Sequence, residues 1–189
     1  MVTFRTSRPA PRAALLASAI ALLGLLGACD SGSGGGGNSA DAPSASAPSG
    51  STRCRTSELR ASVGRVNPGA GQKNFPVVLT NDSGRTCTLR GYPGSDFVDA
   101  AGKQLGPDPK RSEATATTVE LAPGDSAWAG LSFANPEISE AETATPAALL
   151  VTPPDERDPL KVAWTEGEVP VGGNESSVFL TVLSPGTGA

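Results

Sequence analysis

Histidine is missing from this 189-residue chain. Its absence removes the one side chain naturally poised near neutral pH, and with it any Ser–His or Cys–His nucleophile pair. Lysine is scarce as well. Lys73, Lys103, Lys110 and Lys161 are the whole set, and none lies in a Ser-x-x-Lys motif. No EF-hand-like Asp spacing occurs, so a dedicated calcium loop is unsupported. Aromatic residues make up only 4 %. No apolar run reaches the roughly 20 residues of a bilayer-spanning helix; the longest, Ala13 to Leu26, has 14 residues. Sustained helical periodicity is absent too, which argues against helical connections and a parallel βαβ sheet.

The short apolar run follows Arg5, Arg8 and Arg12, the only charged side chains before Cys29. A basic start and a short apolar core are the build of a secretory signal. The segment ends Leu26-Gly27-Ala28-Cys29, which resembles the lipobox of bacterial lipoproteins. That resemblance implies cleavage before Cys29 and a diacylglycerol on its thiol, with fatty acyl chains such as palmitate. Two chains hold where one holds weakly, at about 0.8 kcal/mol per buried CH₂. No Arg-Arg pair marks a twin-arginine route. Residues 1–28 are therefore expected to be a signal peptide, and the mature protein to sit on the extracytoplasmic face of the cell membrane.

Residues 30–51 contain no large apolar side chain. Nothing there offsets the entropy of ordering, so 29–51 is expected to be a lipidated cysteine on a disordered tether. Its typical end-to-end distance is roughly 25 Å, its stretched reach about 70 Å. Its serines are candidate O-glycosylation sites. The 138 residues from 52 to 189 suit one domain. Without the first 28 residues, 12 basic side chains face 19 acidic ones, a net charge of −7. Such a surface argues against nucleic acid and against polyanionic wall polymers or lipid held by charge.

Cys54 and Cys87 are the remaining cysteines. An even pair in an oxidising compartment predicts a disulfide. A metal site is the rival reading, and two isolated cysteines without histidine make a poor one.

The domain reads as short strands between turn residues. Leu59, Ala61 and Val63 alternate with polar neighbours over 57–66. Phe75, Val77 and Leu79 share a face over 74–82, and 87–94 is a short strand ending at Pro93-Gly94. A hairpin is expected over 95–106, turning at Ala101-Gly102. Val119 and Leu121 lead into a Pro123-Gly124-Asp125 turn, after which Ala127, Ala129, Leu131 and Phe133 keep strict period two. Stretches 146–154, 159–164 and 176–184 add three more, giving eight or nine strands. This spacing predicts an all-β antiparallel sandwich of two sheets.

The run "FPVVLTNDSGRTCTLRGYPG", followed by "DAAGKQLG" and "VELAPGDSAWAGLSF", resembles the domain of unknown function 4232, found in secreted proteins and lipoproteins of actinobacteria. The Cys-x-Leu-x-Gly-Tyr-Pro-Gly core at Cys87–Gly94 carries most of the likeness. The resemblance implies an immunoglobulin-like β-sandwich with an intradomain disulfide, and no activity. Many members carry a second cysteine pair in the C-terminal half. Here the corresponding stretches, 139–146 and 170–177, contain none, so that half is expected to be the looser one.

No catalytic constellation, metal site or cofactor is read from the sequence. Asp155/Glu156 and Glu166/Glu168 are the acid pairs a glycoside hydrolase would need, and they lie in turn-rich stretches. Asn81-Asp82-Ser83 and Asn174-Glu175-Ser176 fit the glycosylation triplet and read as turns. Tyr92 is expected to cover the core with its hydroxyl near the rim. Trp128 breaks the Ala127/Ala129/Leu131 face and points the other way, partly exposed or under a loop. Trp164 is placed near an edge. An exposed tryptophan is a common interface anchor, so Trp128, with Tyr92 after it, is the binding candidate. The expectation is a monomeric, non-enzymatic binding module for an envelope protein or wall polymer. A carboxylate-dependent hydrolase of wall or extracellular polymer, or a plain envelope spacer, is the alternative.

Overall fold

The computed structural model describes residues 52–188, so the lipobox residues Leu26–Cys29 and the tether lie outside the described residues. A 3₁₀ turn at Thr56–Glu58 leads into β1 (Leu59–Val63), β2 (Asn67–Gly69), β3 (Gln72–Asn81), β4 (Cys87–Arg90) and β5 (Gly94–Val98). Next come β6 (Lys110–Arg111), β7 (Thr118–Leu121), β8 (Ser126–Ala134), β9 (Ala141–Ala144) and β10 (Ala148–Thr152). The last four are β11 (Leu160–Ala163), β12 (Val169–Gly173), β13 (Val178–Leu180) and β14 (Ser184–Pro185).

The largest sheet runs β1–β3–β8–β13–β6, with β2 also on β3 and β14 also on β8. Opposite it lie β11–β10–β5 and two ribbons, β4–β7 and β9–β12. The all-β sandwich-like arrangement agrees with the sequence reading, with two differences. The second layer is three separately bonded pieces rather than one sheet, and β13 meets β6 in parallel. Among the described residues, fourteen strands replace the eight or nine expected. The extra ones are short or lack alternating large apolar residues, as in Asn67-Pro68-Gly69 and Ala141–Ala144, so periodicity cannot flag them.

Period two does its work on β3 and β8. Phe75, Val77 and Leu79 are at most 1 % exposed, as are Ala127, Ala129, Leu131 and Phe133. They meet Phe97, Leu149, Val151, Val119 and Leu121 from the opposite layer. Trp164 corrects the sequence reading. It lies just past β11 but turns inward and is 6 % exposed. Its ring stands edge-on to Phe75 at 5.1 Å and to Phe97 at 4.8 Å between centroids. Its Nε1–H donates to the Gly167 carbonyl at 2.8 Å. Burying a tryptophan needs such a partner for the indole N–H, and Gly167 (φ +84°) supplies it from the next turn.

Cys54 and Cys87 form a disulfide that ties the start of the domain to β4. Beside it Cys54 N–H donates to Thr88 O at 3.0 Å, and Thr88 N–H to Thr52 O at 2.8 Å. The expected hairpin is present. Leu105 N–H donates to Phe97 O, and Asp99 Oδ1 accepts from the N–H groups of Ala101 and Lys103. Asn81-Asp82-Ser83 is a turn, and Asn81 is its buried hub at 1 % exposure. Its amide donates to Arg85 O and Leu121 O, and its Oδ1 accepts from Ser83 N–H and Oγ–H. Asn174-Glu175-Ser176 is also a turn, with Glu175 at φ 58° and Ser176 Oγ–H donating to Gly173 O.

Candidate functional site

The face of the large sheet turned away from the core is not the polar surface that a two-layer sandwich leads one to expect. Antiparallel register sets its rows. Arg60 lies beside Thr80 and Thr80 beside Ser126; Ser62 lies beside Val78 and Val78 beside Trp128; Pro76 lies beside Gly130. Pro76, Val78 and Trp128 make an apolar floor across β3 and β8. Val78 is only 6 % exposed although it alternates with the core residues Val77 and Leu79.

Part of the cover is the C-terminal segment. Ser184 pairs with Trp128 and Pro185 with Ala127, and Gly186 N–H donates to Ser126 O at 2.8 Å. The chain then crosses the face. A Cβ at Gly188 would lie 2.5 Å from the Trp128 ring and 2.8 Å from Pro76 Cβ. Only glycine lets backbone approach the indole that closely, and its φ of +72° also favours glycine.

What the segment leaves open is a groove of about 660 Å³, lined among others by Arg60, Arg65, Val66, Pro76 and Val78. A smaller hollow of about 250 Å³ continues it along Trp128 and Thr181. The groove is within the size range of ligand sites. Arg60 and Arg65 are both exposed, and among the described residues neither takes part in an ion pair. No acidic side chain lines the groove. Val66, at 39 % exposure, forms part of its rim.

Of the two binding candidates, Trp128 lies on this face, half-buried as expected. Tyr92 does not. Its hydroxyl donates to Ser112 O at 2.6 Å, and the Arg111 guanidinium lies 5.3 Å over its ring. Tyr92 thus fastens the 112–114 segment to the Gly-Tyr-Pro-Gly turn. Cys87 forms the disulfide with Cys54, Leu89 the core contact of β4 and Tyr92 this fastening.

A family model, Domain of unknown function (DUF4232), matches residues 54–182. The chain belongs to the DUF4232 family. Comparison with curated proteins finds no match. The match covers the strands that carry the groove, and the covering segment 184–188 lies just beyond it.

The DUF4232 domain has a second cleft, of about 410 Å³, where the free end of β5 faces the β5–β6 connection. Asp96 and Asp108 both line it, as do Ser95 and Arg111. Burial pushes the Asp96 carboxyl above its ordinary range, and the negative charge of Asp108 adds to that. Ser95 is 2 % exposed and its Oγ has no hydrogen-bond partner. Asp108 is exposed and accepts from Gln104 Nε2 at 2.7 Å. No group of three or more Asp, Glu, Cys or His side chains is placed to hold a metal among the described residues.

Of the acid pairs singled out from the sequence, Asp155/Glu156 is tied into the start of the domain. Glu156 Oε2 accepts from Thr56 N–H and Oγ1–H, and Arg53 spans Asp155 and Glu156. Glu166 accepts from the neighbouring Thr165 hydroxyl. The acid whose carboxyl is raised, Asp96, was missed. Its one legible sign was its place between Ser95 and Phe97 on a strand. Arg60, Pro76 and Val78 were missed as well. Their sign was a β3 sequence that is apolar on both faces.

Proposed function

We propose that this protein is a membrane-anchored extracytoplasmic lipoprotein whose β-sandwich is a non-enzymatic binding module of the cell envelope. The anchor rests on the basic start, the short apolar core and the Leu26-Gly27-Ala28-Cys29 box. The binding role rests on one observation above all, the apolar groove on the outer face of the large sheet with its two unpaired arginines. The C-terminal segment covers Pro76, Val78 and Trp128 only in part, and each still lines open space on this face. A tether of the kind expected from the sequence of residues 30–51 would let that face turn toward partners within its reach.

Two measurements test the reading. Cys29→Ser should abolish membrane retention, and a processed Cys29→Ser protein still in the membrane fraction overturns the anchor. A photo-crosslinker replacing Val66, on the groove rim, should give a discrete adduct in the native envelope that a crosslinker at the remote, exposed Lys103 does not give. Equal labelling from both positions removes the groove from the binding role.

A second reading, hydrolysis of wall or extracellular polymer, rests on the Asp96/Asp108 cleft. A carboxyl raised by burial can act as a proton donor beside an ionised partner. Turnover of peptidoglycan or polysaccharide that Asp96→Asn abolishes would establish it and displace the binding module.

A further inference from the structure

We infer that the outer-face groove takes an extended peptide segment in which carboxylates alternate with apolar side chains. This rests on the reading of the domain as a binding module and names the chemistry of its ligand. Three observations carry it.

The first is charge. The domain is acidic, with 17 acidic against 12 basic side chains from residue 52 on. Arg60 and Arg65 nevertheless stand at a groove lined by no acid, and no ion pair among the described residues engages them. A guanidinium presents a planar fork that matches a carboxylate. The second is the floor. β3, with Pro76 and Val78, lies between β1, which carries Arg60, and Trp128 on β8, and Arg65 lines the same groove, so an anion at the arginines would have apolar surface beside it. The third is the occupant already present on the face. Ser184 and Pro185 pair with β8, the chain bends at Gly186 (φ +95°), whose N–H donates to Ser126 O, and Gly188 then lies against Trp128 and Pro76. The open part of the groove begins at Thr187 and Gly188, so a peptide segment laid there would lie next to backbone already seated on this face. An anionic membrane surface fits less well. A flat bilayer would be held by two arginines against the net charge of the whole domain, and a concave groove would give it little apolar contact.

The test uses the full chain in nanodiscs of zwitterionic lipid and a fluorescein-labelled octapeptide of alternating Asp and Leu, followed by anisotropy. Saturable binding is expected with Kd below about 1 mM. Arg60→Gln and Arg65→Gln should each weaken it roughly tenfold, the loss of one charge-assisted contact. Raising the salt should weaken it further. Both arginines are exposed, so neither substitution endangers folding. No saturable binding up to about 1 mM, or binding unchanged in the double variant, overturns the inference. Equal binding of an Asn/Leu or Lys/Leu peptide, competed by a crosslinked adduct at Val66, overturns the acidic ligand while the groove keeps its binding role. Binding to phosphatidylglycerol vesicles that is lost in the double variant, with no peptide binding, also overturns it and assigns the arginines to a lipid surface.

Discussion

Asn81 Nδ2 donates to the carbonyl oxygen of Leu121 at 2.9 Å, inside the protein and across 40 residues of sequence. The same amide donates to Arg85 O at 2.8 Å, while Asn81 O accepts from Gly124 N–H and Asn81 N–H donates to Asp125 O. One residue, through side chain and backbone, thereby joins the end of β3, the following turn, the end of β7 and the β7–β8 turn. Asn81→Ala should cost about 2–4 kcal/mol, because buried carbonyls lose their donor and a cavity too polar to stay dry is left behind. Urea unfolding of wild type and variant measures it. A loss below about 1 kcal/mol would show that water replaces the amide without penalty.

The disulfide closes a loop of 33 residues. Loop entropy gives about 3.5–4 kcal/mol for that length. Both cysteines are 1 % exposed, so Cys54→Ala/Cys87→Ala removes two buried sulfurs together with the constraint, and the loss is at least that large. We expect the double variant to fold with that loss of stability, read from the denaturant midpoint at unchanged slope. An equal stability with and without reductant in the wild type would contradict it.

Two carboxylates should bend the pH dependence in opposite directions. Glu58 is held below its ordinary value of 4.5, chiefly by the hydrogen bonds from Arg85 at 2.6 and 2.7 Å, with the Arg55 N–H helping. A depressed carboxyl stabilises the fold above its unfolded pKa, and that contribution disappears as pH falls through the folded value. Asp96 is raised by burial and then by Asp108. Its charged form is the costly one, so the fold recovers stability as pH drops through the Asp96 pKa. Glu58→Gln should therefore lower stability at neutral pH and flatten the acid limb. Asp96→Asn should raise stability at neutral pH, with the gain fading below the ordinary carboxylate range. Chemical denaturation from about pH 7 to about pH 3 checks both signs. The same sign for the two variants at neutral pH would refute the assignment.

What the sequence made legible follows the strength of local pattern. β8 could be read residue by residue because Ala127, Ala129, Leu131 and Phe133 alternate without a break, and Trp128 could be turned outward by the same count. The Asp99–Gly102 turn was readable from its Asp and Gly. Trp164 could not be placed, since it sits past the end of its strand, where period two no longer applies, and a turn at Gly167 decides its direction. β9 and β12 are held by long-range pairing that no local apolar period records. The groove needs the register of β1, β3 and β8 together with a C-terminal segment folded back over them. Each row is a cross-strand relation, and a single sequence supplies only the members. Asp96 was hidden for a related reason, since its cleft is closed by Asp108 from a separate connection.

The two stretches where other family members are expected to carry a second cysteine pair face each other here. β9 and β12 pair with Glu142 beside Gly172, next to an irregularity in register between Pro170 and Gly172. A Cβ placed at Gly172 would lie 3.7 Å from Glu142 Cβ, within the 3.5–4.5 Å that a disulfide requires. The nearest obstacle, Glu142 Oε2 at 2.7 Å, disappears when Glu142 is itself replaced. Gly172 is outside the glycines of positive φ, so cysteine is tolerated by the backbone. Glu142→Cys/Gly172→Cys should therefore oxidise to a bridge closing a 30-residue loop, and stabilise the domain by about 3.5 kcal/mol on the loop-entropy account. Mass spectrometry of a non-reduced digest identifies the bridge, and denaturation with and without reductant gives its contribution. If the bridge forms and the gain stays under about 1 kcal/mol, the β9–β12 ribbon is already as constrained by its backbone pairing as a second disulfide could make it, and the expectation of a looser C-terminal half fails with it.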